Sequence, residues 1–163
     1  RALKNSVWMI EQFKRHHKQN EYLIVLGRGE DKEKCSAILD DNIIHYGFTD
    51  NPYAFMRIAD IYISASLAEG FSIAVLEAMD NGLTLFLSDI PSHLEVFEAN
   101  SDAGLYLGET FTSGNEKSFA SSLDRLRGNY SRIDKQKIRS FKEDEMSASG
   151  MITGYEKLYK TKK

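Results

Sequence analysis

The sequence predicts an α/β fold built on an open parallel sheet, and three observations support this prediction. Short apolar segments alternate with amphipathic ones between residues 4 and 107. The segment 22–26 is a continuous apolar run closed by glycine, which is typical of a strand that is covered on both faces. Glycine or proline marks many of the boundaries between segments, where strands and helices begin or end. Because alternating strands and helices imply right-handed crossovers, we expect a Rossmann-like sheet with helices on its faces.

Five apolar segments are predicted to form the strands of this sheet. The first runs into Gly27-Arg28-Gly29 and the second ends at Gly47, and glycine commonly marks such turns. The strands are expected at 22–26, 43–47, 60–64, 83–87 and 104–107. Since ligands of such sheets bind outside the carboxyl ends of the strands, the loops that follow the strands form the candidate site.

The segments between and after the strands are predicted to be helices. Val7, Ile10 and Phe13 recur at helical spacing in the first of them. Pro52 and Pro91 stand in the first turn of two others, where proline is tolerated. Helices are expected at 4–18, 30–40, 52–59, 72–81 and 91–98, and then at 116–127, 132–145 and 147–160. We interpret residues 1–163 as one domain, with 115–163 as its helical C-terminal part.

Composition excludes several classes of protein. The 163 residues are 42% hydrophobic and 28% charged, so a packed core is expected. The net charge of −3 is too small to attract nucleic acid by bulk electrostatics. Cys35 is the single cysteine, so an internal disulfide and a cysteine-based zinc site are excluded and a reducing compartment fits best. No apolar run approaches the roughly 20 residues that a membrane-spanning helix needs.

The beginning of the chain and its charge distribution suggest missing partners. The chain opens at Arg1 without a methionine, and we expect it to be a piece of a longer protein whose first strand lies upstream. Residues 1–114 carry 9 basic and 17 acidic side chains, a net charge of −8, whereas residues 115–163 carry 12 and 7, a net charge of +5. We interpret the basic tail as a solvated surface, with contact to an acidic partner or a membrane surface as the alternative.

The loop after the third strand is the most informative stretch. It contains Glu69 and Gly70 and leads into a helix that begins near Ser72, a residue type that suits an N-cap. A helix N-terminus presents unpaired N–H groups and a partial positive charge. Glycine also lets the backbone approach a ligand closely. The loop is therefore suited to hold an anion, most simply a phosphate.

A second carboxylate, Glu77, lies two turns into that helix among apolar neighbours. A carboxylate in such surroundings is costly unless it is paired or hydrogen-bonded. A vicinal diol such as the ribose 2′,3′ pair would offer it two O–H donors. Glu69 on the loop is available for a different hydroxyl or for a developing charge. The two carboxylates therefore suit the two ends of a nucleotide sugar.

These residues resemble a known family. The Glu-x7-Glu spacing of Glu69 and Glu77, within Glu-Gly-Phe-Ser-Ile-Ala-Val-Leu-Glu-Ala-Met, is similar to the signature of retaining GT-B glycosyltransferases of family 4 type, also called glycosyl transferases group 1. The resemblance extends over nearly the whole chain, as the C-terminal, donor-binding domain. The other matching elements are Gly27-Arg28-Gly29, Tyr46-Gly47-Phe48, the run 59–66, Asn81-Gly82, Pro91 with Glu95, and Tyr155 with Leu158 and Tyr159.

The resemblance implies roles for individual residues. Glu69 would face the transferred sugar and Glu77 would bind the ribose. Arg1 and Lys4 would neutralise the diphosphate of the donor substrate, a UDP-, GDP- or similar nucleotide sugar. No divalent metal and no other cofactor would be needed. The remaining donor-binding residues would be Gly27 and Gly29, Phe48 and Thr49 beside the base, and the backbone of Gly70, Phe71, Ser72 and Ile73.

The sequence departs from the family pattern at three places. Ser72 stands where glycine is usual, so its side chain is expected to crowd the sugar or to change the hydrogen bonds that the sugar makes. Gly82 is followed by Leu83 and Thr84 rather than by the common x-Pro pair. Arg1 and Lys4 lie closer together than the corresponding family pair. Among the histidines, we interpret His93 as packed, with an approach to the Glu69 loop as the alternative.

The resemblance implies a hexosyltransferase that moves a sugar with retention, in glycoconjugate or polysaccharide synthesis. A missing N-terminal domain would bind the acceptor, a sugar or a lipid-linked sugar, and this piece alone would turn over little. We expect a cytoplasmic protein, with peripheral contact to the inner face of the membrane. Two alternatives are a non-catalytic partner or chaperone subunit of an active transferase, and a GT-B-fold epimerase, which the run around Glu69 fits less well.

Overall fold

A computed structural model describes residues 2–28, 32–70, 72–99 and 104–145. Three predicted site residues, Arg1, Gly29 and Phe71, and the predicted helix at 147–160 lie outside this part of the chain. The strands are β1 (Leu23–Leu26), β2 (Ile43–Gly47), β3 (Ile61–Ser64), β4 (Thr84–Ser88) and β5 (Gly108–Phe111). The helices are α1 (Ser6–His16), α2 (Lys32–Ala37), α3 (Pro52–Ile58), α4 (Ile73–Asp80), α5 (Pro91–Ala99), α6 (Glu116–Gly128) and α7 (Lys135–Glu145), with short 3-10 turns at Ala2–Lys4 and Tyr130–Arg132.

All hydrogen-bonded strand pairs are parallel, and helices connect the strands, so the predicted Rossmann-like α/β arrangement is confirmed. The strands form two groups, β1-β2 and β3-β4-β5. This differs from the single sheet that the sequence predicts, because no hydrogen-bonded strand pair among the described residues joins the two groups. Both groups still pack beneath one helical layer, since Leu23 of β1 and Phe86 of β4 belong to the same apolar cluster.

Strand β4 lies at the centre of the fold and is buried along its whole length. Phe86 packs with Ile10 of α1 and Phe119 of α6 on one face. Leu85 and Leu87 point to the other face, where they pack with residues of α4, α5 and α7. This alternation follows from the two-residue period of a strand. It produces three layers, with helices on both sides of the sheet.

The fifth strand lies four residues later than predicted. The apolar segment 104–107 is not part of the strand. Leu105 and Leu107 instead pack in the apolar cluster with β4, and the carbonyl oxygen of Leu107 accepts the Leu85 amide at 2.8 Å. The strand begins at Gly108, whose Cα is opposite that of Leu85.

Several helix boundaries also differ from the prediction, including the start of α7, which is residue 135 instead of 132. The first helix begins at Ser6 rather than at residue 4, because Ala2–Lys4 is a 3-10 turn and Asn5 adopts a left-handed conformation with φ 51°. The second helix, described over Lys32–Ala37, ends at residue 37 instead of at the predicted residue 40, and residues 30 and 31 lie outside the described part of the chain. Within the described residues, no helix combines the length and apolarity needed to cross a membrane.

Candidate functional site

Glu69 lies on the loop between β3 and α4, at the carboxyl edge of the sheet. Its Oε1 accepts hydrogen bonds from Lys4 Nζ at 2.8 Å and from the Ser66 hydroxyl. The Glu69 side chain is only 10% exposed, whereas that of Lys4 is 48% exposed. The structure thus brings two predicted site residues into direct contact. The carboxylate is held in place, while the ammonium remains accessible to a ligand from solvent.

The surroundings of Glu69 favour its charged form. Burial alone would raise the pKa of this carboxyl, but hydrogen bonds from Lys4 and Ser66, the Lys4 charge and the Ser72 side chain outweigh that effect. The pKa of Glu69 is therefore lowered, as expected for a carboxylate that accepts charge-assisted hydrogen bonds. Glu69 is an anion at neutral pH, suited to interact with hydroxyl donors or positive charge.

The segment that carries Lys4 is fastened to this loop. The Leu67 amide donates to the Leu3 carbonyl oxygen at 2.8 Å. The Asn5 side chain donates to the Ser113 hydroxyl at 3.0 Å, and that hydroxyl donates to the Ala65 carbonyl oxygen at 2.9 Å. The 3-10 turn is thus tied to the end of β3, so the position of Lys4 follows from backbone contacts as well as from its ion pair.

A series of buried hydrogen bonds connects the Glu69 loop to Ser88 in β4 and His93 in α5. The Ser88 hydroxyl donates to the Ser66 carbonyl oxygen at 2.6 Å. His93 is fully buried, and its Nδ1 lies 2.9 Å from the Ser88 carbonyl oxygen. Because that oxygen is an acceptor, Nδ1 carries the proton. Burial lowers the pKa of His93 more than the Ser88 bond and the Glu69 charge raise it, so the ring is neutral. His93 is packed, as predicted, and is linked to the Glu69 loop through Ser88.

The beginning of α4 presents its amides beside Glu69. Ser72 is the N-cap residue, as the sequence predicts, although its side chain makes no capping hydrogen bond. Its hydroxyl instead contributes to the lowered pKa of Glu69. Ile73 is 65% exposed, and a Cβ added at Gly70 would meet nothing within 4 Å. Free space therefore lies next to the helix N-terminus.

Glu77 is half-buried in α4 and faces α3. Its Oε1 accepts a hydrogen bond from the Tyr53 hydroxyl at 3.0 Å. Both carboxylates act on the phenol of Tyr62 in β3. Burial, and then the charges of Glu69 and Glu77, raise the pKa of Tyr62. Glu69 and Glu77 are therefore both close enough to one strand to act on the same side chain.

The ends of β1 and β2 carry the predicted base-binding residues. Gly27 has φ +125°, which only glycine adopts readily, and open space lies over it. Its amide donates to the Gly47 carbonyl oxygen at 2.7 Å, which joins the two strand ends. Phe48 is 51% exposed, with the Arg28 guanidinium 4.1 Å from its ring centroid. The Thr49 hydroxyl accepts the Asn51 amide at 3.0 Å, so it shapes the turn before α3.

The structure collects most of the predicted site at one edge. Glu69, Glu77 and Lys4 lie there with Gly27, Phe48, Thr49, Gly70, Ser72 and Ile73. The sequence interpretation assigned no role to Tyr53, Arg28, Ser66 or Ser88. Of these four residues, only Arg28 could have been identified from the sequence pattern, because it stands between two glycines directly after a predicted strand. Within the described residues, no three His, Cys, Asp or Glu side chains cluster as a metal site.

Comparisons with known proteins agree with this arrangement. The sequence profile of the family described as glycosyl transferases group 1 matches residues 2–142. The O-antigen biosynthesis glycosyltransferase WclY of Escherichia coli is 27% identical over 156 residues, which are 93% of this chain and 41% of that protein. A diphospho-undecaprenol 4-alpha-N-acetylgalactosaminyltransferase of Campylobacter jejuni is 26% identical over 149 residues, 85% of this chain and 40% of that protein. The chain thus spans about two-fifths of the length of these relatives.

Solved structures share the fold. The lipopolysaccharide outer core galactosyltransferase WaaB matches with a TM-score of 0.76 at 21% identity, over 99% of this chain and 46% of its own. Anabaena HepE, in complex with UDP, matches with a TM-score of 0.75 at 13% identity, over 99% of this chain and 46% of its own. With the family profile extending over most of its residues, this chain belongs to the glycosyl transferases group 1 family.

Proposed function

We propose that this chain is the donor-binding domain of a retaining glycosyltransferase and that it binds a nucleotide-diphosphate sugar at the carboxyl edge of its sheet. The observation that carries the proposal is the placement of two carboxylates, Glu69 and Glu77, on either side of the N-terminus of α4. Each has a defined hydrogen-bond donor, Ser66 for one and Tyr53 for the other. The structure of HepE in complex with UDP supports a nucleotide-bound donor.

In this proposal, each element at the edge contacts one part of the donor. The base lies against Phe48 and the turn at Thr49, and the ribose hydroxyls donate to Glu77. The diphosphate faces the amides at the start of α4, where the helix dipole favours negative charge. The transferred sugar contacts Glu69, which stabilises positive charge that develops at the anomeric carbon. Bond cleavage there leaves the electron pair on the diphosphate oxygen.

Lys4 has to serve two anions in this arrangement. It pairs with Glu69 in the present structure, whereas the resemblance places it, with Arg1, on the diphosphate. Its exposed side chain allows it to turn towards the phosphates or to bridge the two groups. Lys4, Arg1 and the helix dipole then supply the positive charge that stabilises the leaving group, without a divalent metal.

The acceptor and the setting are further parts of the proposal. Relatives named for O-antigen and lipopolysaccharide synthesis support a role in glycoconjugate assembly. We propose a hexose donor, an acceptor sugar or lipid-linked sugar bound by another domain, and a cytoplasmic location at the inner face of the membrane. A non-catalytic partner subunit is the second candidate, and it predicts donor binding without turnover.

The test is an NMR titration of the ¹⁵N-labelled chain with UDP, GDP and ADP. One of them is expected to bind with a dissociation constant below about 1 mM, equivalent to about −4 kcal/mol. It should shift the amides of Gly27, Thr49 and Glu77. The amides of a pocket at the opposite edge, lined by Leu105, Ser131 and Asp134 among others, should not move. Shifts confined to that pocket, or no shifts at all, would contradict the proposal.

A further inference from the structure

The contact between Tyr53 and Glu77 has a consequence for nucleotide selectivity. We propose that Tyr53 is a positioning residue that orients the Glu77 carboxylate for the ribose hydroxyls and thereby sets a preference for ribonucleotides over 2′-deoxyribonucleotides. The inference rests on the proposed function, since it concerns the ribose of the donor. Tyr53 is not among the residues that the sequence predicts for the site, and the group on which the preference depends is the ribose 2′-hydroxyl.

Tyr53 is held in place by the start of α3. Pro52 occupies the first turn of this helix, and the Asn51 side chain accepts the Ala54 amide at 3.2 Å. The Asn51 amide in turn donates to the Thr49 hydroxyl at 3.0 Å. These bonds fix the backbone that carries Tyr53. They also connect it to the turn that holds the proposed base-binding residues, so base and ribose contacts share one rigid segment.

Burial does not force the bond between the two side chains. Tyr53 is 41% exposed, so water could satisfy its hydroxyl equally well. The 3.0 Å contact with Glu77 Oε1 joins α3 to α4 across 24 residues of sequence. The hydrogen bond, and then the charge of Glu77, raise the pKa of Tyr53, which keeps the phenol protonated and donating. The contact therefore ties the Glu77 carboxylate to a tyrosine whose backbone is fixed by the start of α3.

Glu77 keeps acceptor capacity for a ligand after this restraint. Among the described residues, none with a cationic side chain forms a salt bridge to it. A carboxylate has about four acceptor positions on its two oxygens. The phenol uses one of them on Oε1, which leaves Oε2 and part of Oε1 for two hydroxyl donors. A ribose 2′,3′-diol has two such donors, whereas a 2′-deoxyribose has one.

Removing the phenol hydroxyl should weaken ribose recognition specifically. We expect the wild-type chain to prefer a ribonucleoside diphosphate over its 2′-deoxy form by about tenfold, the effect of one hydrogen bond to a charged group. In Tyr53→Phe the carboxylate is free to turn away. Affinity for the ribonucleotide should fall about fivefold and the preference should shrink to about twofold.

Calorimetric titrations of the complete chain measure both quantities. The probes are the best-binding of UDP, GDP and ADP and its 2′-deoxy counterpart. Tyr130→Phe is the matched control. Tyr130 is also half exposed, and burial and then the nearby Asp60 carboxylate raise its pKa. It lies after α6, away from the carboxyl ends of the strands, so its loss should change neither affinity nor preference.

The outcomes separate this inference from the proposed function. A reduced ribose preference in Tyr53→Phe, with Tyr130→Phe unchanged, supports the positioning role. A merely structural role would weaken both nucleotides equally, and an unchanged preference in Tyr53→Phe would overturn the inference while donor binding stands. If the wild-type chain binds none of the three nucleotides, the proposed function fails and the inference fails with it.

Discussion

A Glu69→Gln substitution should lower turnover of the sugar donor by about two to three orders of magnitude while leaving nucleotide affinity almost unchanged. Glutamine keeps the shape and accepts the Ser66 hydrogen bond, but it removes the negative charge. A charge that acts mainly on the transition state affects the rate more than ground-state binding, and loss of one such electrostatic group typically costs about 10²- to 10³-fold. The lowered pKa of Glu69 shows that this charge is present at neutral pH.

The rate is measured as nucleoside diphosphate release by the full-length protein, with affinity measured in parallel. Glu98→Gln is the matched control, because Glu98 is an exposed helical carboxylate on α5. It should leave both quantities within about twofold, as is usual for a surface substitution. Turnover by Glu69→Gln at the wild-type level would remove Glu69 from the proposed mechanism.

A Gly108→Ala substitution should strongly destabilise the protein. The added Cβ would lie 1.8 Å from the Leu85 carbonyl oxygen, a backbone atom in the centre of the fold, and Gly108 has φ +139°. Steric overlap and backbone strain both act here, and each costs about 1–3 kcal/mol. We expect a loss of at least about 3 kcal/mol, a large share of a typical domain stability of about 5–15 kcal/mol. Urea denaturation followed by circular dichroism measures this change.

Gly114→Ala separates the two causes. Gly114 also has a positive φ, +82°, but a Cβ there would meet nothing within 4 Å. Its replacement should therefore cost only the backbone strain, about 1 kcal/mol. Equal losses in the two variants would show that the close approach of Gly108 to Leu85 is absent in solution.

The sequence predicts the fold well wherever hydrophobic pattern and burial coincide. Strand β4 contains the apolar run Leu85-Phe86-Leu87, and it is buried on both faces. The predicted bounds of β5 are wrong, because Leu105 and Leu107 fill the apolar cluster beside β4 and the strand begins only after them. The strand itself starts at Gly108, where only a residue without a side chain fits against Leu85, and neither pattern nor propensity reveals that contact.

The candidate site also contains residues that the sequence predicts and contacts that it does not. Glu69 and Glu77 are predictable because their loop and helix have a recognisable order. Their partners are not, since Lys4 is 65 residues from Glu69 and Tyr53 is 24 residues from Glu77. Such contacts depend on how the crossovers place the elements at one edge. A tyrosine in the first turn of a helix carries no sign in the sequence of which carboxylate it will meet.

The proposed function requires that Glu77 binds the donor nucleotide at the carboxyl edge of the sheet. The most direct test is a calorimetric titration of Glu77→Gln and Glu98→Gln chains with the nucleoside diphosphate that the wild-type chain binds best. Hydrogen bonds to a charged group contribute about 1.5–3 kcal/mol, so Glu77→Gln should weaken binding by at least about tenfold. Glu98→Gln should bind as tightly as the wild type. Equal affinities of the two variants would contradict the claim and place the nucleotide elsewhere on the molecule.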